Sequence, residues 1–93
     1  MKVYISGPMS GIENFNKPAF DEAERKLKEA GYSVFNPAWL DVDDTWTDAE
    51  LLYIDLAALD KCDAIYQLPG WKNSRGAMTE YRYALNAGKK FIE

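Results

Sequence analysis

The 93-residue sequence is 47% hydrophobic, with 3 Trp, 6 Tyr and 4 Phe, which supplies one real core and leaves no material for a second. The expected organisation is therefore a single domain over residues 1–93. A net charge of -4 excludes a protein built mainly to grip a nucleic acid polymer, while a small anion can still be held by local backbone amides.

The sequence contains no histidine, which removes Ser-His-Asp, Cys-His and His-rich zinc sites together. Acid–base or nucleophilic chemistry must then come from Asp, Glu, Tyr, Lys, Ser or Thr. The single Cys62 excludes an internal disulfide, suits a reducing compartment and is read as a core residue. No apolar run reaches membrane-spanning length, and the first five residues are too short and too strand-like for a signal peptide. A cytoplasmic protein without membrane contact is expected.

Residues 2–6 read as a short buried strand, followed by a Gly-flanked turn at 7–11 of the kind that cradles ligands. Asn16 is placed to cap the next helix, Pro18 is tolerated in its first turn, and Phe20, Ala23, Leu27 and Ala30 recur at helical spacing until Gly31. Its other face offers the pairs Asp21/Arg25, Glu22/Lys26 and Glu24/Lys28. Residues 32–35 form a second strand, broken by Asn36 and Pro37.

Residues 38–46 form a polar loop holding Trp39, Asp41, Asp43, Asp44 and Trp46. The aspartates lack an EF-hand ligand pattern and read as a solvated surface. The tryptophans either stack on a flat ligand or seal the core edge, and sealing is the reading taken here.

Thr47 and Glu50 form a capping box that opens a helix running to about Lys61. Leu51, Leu52, Ala58, Leu59 and Cys62 share one apolar arc of it, and Asp55 falls in the middle. A carboxylate there either hydrogen-bonds for structure or faces a pocket, and the chemistry below, which needs a second acid, favours the pocket. Asp63, between helix and strand, reads as a structural partner of backbone amides.

A third strand at 64–68 ends at Pro69 and Gly70. Ser74 then caps a helix over 75–87 that stops at Gly88, and residues 90–92 form the last strand. The free amides and dipole at the helix start favour an anion beside Ser74. Glu80 sits at the edge of the stripe Ala77, Met78, Tyr81, Ala84 and Leu85, placed to face a pocket mouth without being submerged.

The order βαβαβαβ predicts an α/β fold: a small flavodoxin- or Rossmann-like parallel sheet of about four strands, with three helices on both faces. In the order 2-1-3-4 the first and third strands are neighbours at a topological switch point. The loops at 6–16 and 69–74 should then frame the ligand crevice.

Three motifs now stand in order: Tyr4-Ile5-Ser6-Gly7-Pro8; Asp55, Leu56, Leu59, Cys62 and Asp63; and Ser74, Gly76, Ala77 and Glu80 leading into Ala84. Together they resemble the nucleoside 2-deoxyribosyltransferase superfamily, including its 2′-deoxynucleoside 5′-phosphate N-hydrolase branch and a set of short domains of unassigned function. The resemblance implies that Glu80 is the nucleophile on the anomeric carbon, that Asp55 binds the sugar or assists the leaving base, and that Tyr4 orients the nucleophile.

It also implies that Ser10 and Ser74 bind a 5′-phosphate. Ser6, Gly7, Gly11, Trp71 and Gly76 complete the substrate cradle. Lys72 and Arg75, on either side of Asn73 with its neutral amide donor, add positive charge that suits a phosphorylated ligand.

The expected function is N-glycosidic cleavage of a (deoxy)nucleoside 5′-monophosphate to free base and sugar phosphate, with no cofactor and no metal. The carboxylate stabilises or traps an oxocarbenium-like centre, and an acid of raised pKa protonates the base. A non-catalytic nucleotide-binding module, or deoxyribosyl transfer between bases, is the alternative. Members of the superfamily commonly complete their sites across a dimer, and a homodimer or higher oligomer is expected here, with site residues supplied by a neighbouring subunit.

Overall fold

In a computed structural model covering residues 1–93, the chain forms four strands and three main helices. They are β1 (Lys2–Ser6), α1 (Lys17–Glu29), β2 (Ser33–Phe35), α2 (Asp48–Asp60), β3 (Ala64–Gln67), α3 (Arg75–Asn86) and β4 (Lys90–Ile92). All strand pairs are parallel, as the βαβ alternation predicts, and the order is β2-β1-β3-β4, the expected one. Three short 3₁₀ turns, at Glu13–Asn16, Pro37–Trp39 and Trp71–Asn73, tighten the connecting loops.

The alternation of β1 divides the interior. Val3 and Ile5 point to one face, where they join Phe20, Ala23 and Leu27 of α1 in a core that also takes in Ala64 and Leu68. Tyr4 points to the other face, which is covered by α2 and α3, and packs with Ile65, Leu59, Cys62 and Ala84. Ser6, two residues on, shares that face and is fully buried. Helices therefore cover both sides of the sheet.

The helix starts show which local signals hold. Thr47 Oγ1 accepts from the Glu50 amide at 3.1 Å while Glu50 Oε1 accepts from the Thr47 amide at 2.8 Å, the reciprocal capping box. Ser74 Oγ accepts from the Ala77 amide at 3.2 Å and caps α3. Asp63 accepts from the Lys2 amide at 2.9 Å, which makes it a structural residue.

Asn16 does not cap α1. It is held at φ 61°, outside the extended region an N-cap requires, and its side chain donates to the Pro8 carbonyl at 3.0 Å instead. Asn14 and Phe15 before it are also left-handed, at φ 55° and 52°. The loop turns sharply here and ties itself back onto residues 7–11.

The ion pairs on α1 also differ from expectation. Glu24 pairs with Lys28 at 2.6 Å, but Asp21 pairs with Lys17 at 2.8 Å, and Arg25 engages Glu22 and Glu29. Three of these four pairs keep the i,i+4 spacing, but the Arg25 fork reaches Glu22 and Glu29 in place of Asp21, which turns back to Lys17. Leu85, assigned to the apolar stripe of α3, is 56% exposed, because Ala84 is the residue that meets the sheet. No helix is long and apolar enough to cross a membrane.

Candidate active site

At the carboxyl ends of β1 and β3 the loop after each strand turns outward beside the other. Leu68 donates its amide to the Ser6 carbonyl at 2.8 Å, and a Cβ on Gly7 would lie 2.7 Å from the Leu68 Cβ. Only glycine allows these two loops to approach so closely. They form one wall of a cleft of about 1270 Å³, which is closed on the other sides by residues 37–46 and the first half of α2.

Glu80 lies at the base of this cleft and is 5% exposed. This corrects the expectation that it would stand clear of the interior. The helical wheel fixes its direction from the axis of α3, but β1 supplies the hydroxyls that let the carboxylate sink below the surface. Tyr4 Oη donates to Glu80 Oε2 at 2.7 Å and Ser6 Oγ donates to Oε1 at 2.6 Å. Both donors come from alternate residues of one strand, so the sheet fixes the plane of the carboxylate.

Burial pushes the Glu80 carboxyl up to about 7, while the bonds from Ser6 and Tyr4 oppose that rise. The Tyr4 phenol is driven well above its ordinary range, first by burial and then by the charges of Glu80 and Asp55, so it remains a donor throughout the neutral range. Its ring stacks on Phe35 at 5.8 Å, and Phe35 in turn meets Trp39 edge-on at 5.5 Å.

Asp55 projects from α2 into the same cleft. Its Oδ1 is buried and has no hydrogen-bond partner. Of the two readings open for this residue, structural bonding is therefore not the one the fold adopts. Burial, and then the charge of Glu80, pushes its carboxyl up to about 7. The two acids titrate as a pair, and their surroundings break the symmetry: Glu80 has two hydroxyl donors that favour its anion, whereas Asp55 has none. The two hydroxyl donors therefore favour charge on Glu80 over charge on Asp55, although burial raises both carboxyls to about 7.

Of the other residues singled out in sequence, Gly7, Ser10, Ser74 and Gly76 line the cleft with Asn73 and Arg75. Arg75 makes no salt bridge. Ser6 lies behind Glu80 rather than on the cleft wall, and Gly11 does not line it. Trp71 lies outside as well, because its ring packs on Tyr81 at 4.8 Å and Tyr81 continues onto Phe91.

Trp39 and Trp46 line the cleft and remain roughly half exposed, so they border it more than they seal the core. Phe15 belongs to the loop at 6–16 that was expected to frame the crevice, though the residue itself was not singled out, and Lys17 lies just beyond that loop. No local signal marks Phe15, whose place depends on the left-handed turn.

Solved structures share this architecture. The chain is similar to a 2-deoxyribosyltransferase from Leishmania mexicana, with a TM-score of 0.72 and 19% identity over 98% of this chain and 61% of that one. A 2-deoxyribosyltransferase from the psychrotolerant bacterium Bacillus psychrosaccharolyticus matches with a TM-score of 0.75 and 19% identity, over 98% of this chain and 69% of that one. The CMP N-glycosidase of Clostridium botulinum matches with a TM-score of 0.67 and 22% identity, over 99% and 69%.

The chain thus has a nucleoside 2-deoxyribosyltransferase-like fold, and it spans about three fifths of the Leishmania protein. No curated protein gives a significant sequence match. A family model described as "Domain of unknown function (DUF4406)" matches residues 1–93.

Proposed function

The chain belongs to the DUF4406 family, and we propose that it cleaves the N-glycosidic bond of a (deoxy)nucleoside 5′-monophosphate, releasing free base and sugar phosphate. One observation carries this reading: a buried carboxylate with a hydroxyl on each oxygen shares a cleft with a second acid whose buried oxygen is unpartnered. That is the asymmetry a retaining glycosidase needs, one acid ionised and one protonated at the same pH. The structural neighbours named as transferases and as an N-glycosidase agree with it in kind.

In the first step the Glu80 carboxylate attacks the anomeric carbon as the carbon–nitrogen bond breaks. The bonding pair leaves with the base, which takes the proton of Asp55. Water then attacks the same carbon of the glycosyl ester, Asp55 recovers a proton from it, and Glu80 is released. Tyr4 holds the nucleophile throughout, and the 5′-phosphate sits against Ser10, Ser74 and the N-terminus of α3, with Arg75 beside it. The rim aromatics Trp39 and Trp46 offer flat faces to the base.

Transfer to a second base is the other reading, favoured by a cleft larger than the roughly 300–1,000 Å³ of most small-molecule sites. The working unit in this account is one domain over 1–93 in a homodimer. Of α2 only Leu59 is buried, although the helix is apolar around most of its circumference, and Tyr53 on it is 75% exposed.

The test is to incubate the protein with deoxynucleoside and ribonucleoside 5′-monophosphates and the matching nucleosides, following free base by chromatography. The expected result is release from monophosphates and a loss of about 1,000-fold or more in Glu80→Gln. Full turnover by Glu80→Gln would remove the assigned nucleophile. Exchange with an added free base, indifferent to the 5′-phosphate, would replace hydrolysis by transfer.

A further inference from the structure

Ser6 closes the strand motif that joins the sheet to the first ligand loop, and by position in sequence it reads as part of the phosphate cradle. Three observations place it elsewhere. It is fully buried, it does not line the cleft, and its hydroxyl donates to Glu80 Oε1 at 2.6 Å. A serine hydroxyl has one proton to give. Spent on Glu80, that proton is not available to a phosphate oxygen. Ser10, four residues later and on the cleft wall, is the serine of this loop that can serve the ligand.

We infer that Ser6 is a positioning residue for the nucleophile: with Tyr4 it holds Glu80 in a two-donor clamp, each carboxylate oxygen fixed by one hydroxyl from β1. This deepens the glycosidase reading and rests on it for its kinetic consequences.

The clamp has two effects. It prevents the carboxylate from rotating about its terminal bond, so the same face of each oxygen is presented to the cleft. It also favours the anion against the burial that would otherwise keep Glu80 protonated. β1 is the place from which such a clamp can be built. Ser6 pairs with Gln67 of β3 at the carboxyl end of a central strand, two residues beyond the last β2 pair, Tyr4 with Phe35.

Of the charged or titratable groups around Glu80, Tyr4 contributes from β1 and Asp55 from α2, while Lys17, Asp41, Asp43, Asp44, Asp48 and Arg75 line the same cleft. Only Ser6 and Tyr4 hydrogen-bond to the Glu80 carboxylate, and of these two only Ser6 can be replaced by alanine without removing a titrating group.

The experiment compares wild type, Ser6→Ala, Ser6→Cys and Ser10→Ala by the pH dependence of base release from deoxynucleoside 5′-monophosphates. Ser6→Ala is expected to lower kcat about 10-fold, to leave KM within about 2-fold, and to move the acid limb of the profile up by about one pH unit. Ser6→Cys keeps a weak donor in nearly the same volume and should fall between. Ser10→Ala should raise KM and leave the limb in place.

An unmoved limb with unchanged kcat in Ser6→Ala, or a raised KM with the limb fixed, would overturn the assignment. If wild type releases no base, the glycosidase reading fails by itself. The clamp is then read directly from the titration of the Glu80 side-chain carboxyl by ¹³C NMR. A midpoint higher in Ser6→Ala than in wild type and Ser10→Ala supports the clamp, and equal midpoints overturn it.

Discussion

The two faces of the sheet are built to different rules. On the α1 face the side chains of β1 are Val3 and Ile5, packed on Phe20, Ala23 and Leu27, while the polar groups of α1 stay outside in ion pairs. On the α2/α3 face the same strand presents Tyr4 and Ser6, and the helices answer with Glu80 and Asp55. One face gains stability from hydrocarbon burial. The other gives some of it up to hold two acids away from water. A period of two along five residues is enough to separate scaffold from chemistry.

That contrast can be tested from either side, and Asp55→Asn should have the largest effect. Removing the proton donor for the leaving base is expected to cost about 100- to 10,000-fold in base release, with the fold intact by circular dichroism. An activity loss below about 3-fold would mean that the orphan oxygen of Asp55 has no part in the reaction.

Next is Leu27→Ala on the opposite face. This removes buried hydrocarbon from the α1 core and is expected to cost about 2–4 kcal/mol by urea denaturation. Turnover per folded molecule should stay near wild type. If it collapsed with stability still adequate, the two faces would not be separable as described.

The smallest expected effect sharpens the comparison most. Asp55 and Glu80 both have carboxyls raised in the folded state, mainly by burial, to about 7. Raised values favour the folded state while the groups are protonated. Their contribution is therefore complete below the unfolded values near 4 and is lost as pH rises through about 7.

Asp55→Asn, inert below pH 4, should for that reason stabilise the protein by about 1–3 kcal/mol at pH 8.5 and by almost nothing at pH 4. Denaturant midpoints of wild type and variant at both pH values check this. Equal differences at the two pH values would show that burial on this face carries no ionisation cost.

How much of this was legible in sequence follows from where each signal lies. Strand boundaries are local: residues 90–92 match β4, and residues 64–68 exceed β3 by one residue because Leu68 already belongs to the turn. The parallel sheet follows from the βαβ alternation and needs no side chain, whereas the order 2-1-3-4, taken as the doubly wound arrangement, agrees with the sheet observed but is not dictated by crossover handedness. Thr47 and Ser74 cap as read, since a cap is settled within three residues. Asp55 was found because an acid in an apolar arc conflicts with its neighbours whatever the tertiary structure.

What was not legible depends on contacts far apart in the chain. The depth of Glu80 and the role of Ser6 are set by a hydrogen bond spanning 74 residues, which no window along the chain contains. Trp71 carries a ring suited to stacking on a base, but Tyr81, itself backed by Phe91, claims it first. Asn16 has the right residue type for a cap and the wrong backbone, because the three-residue left-handed turn before α1 has no strong marker.

If Glu80 is the nucleophile, it becomes covalently attached to the sugar while Asp55 handles the proton. The most direct measurement is mass spectrometry of the protein and its peptides after incubation with a 2′-fluoro-substituted nucleoside 5′-monophosphate, whose electron-withdrawing substituent slows breakdown of a glycosyl ester. An added fluorinated sugar phosphate is expected on the peptide containing Glu80, absent in Glu80→Gln. Base release with no adduct at any time, or an adduct on a different residue, would contradict it.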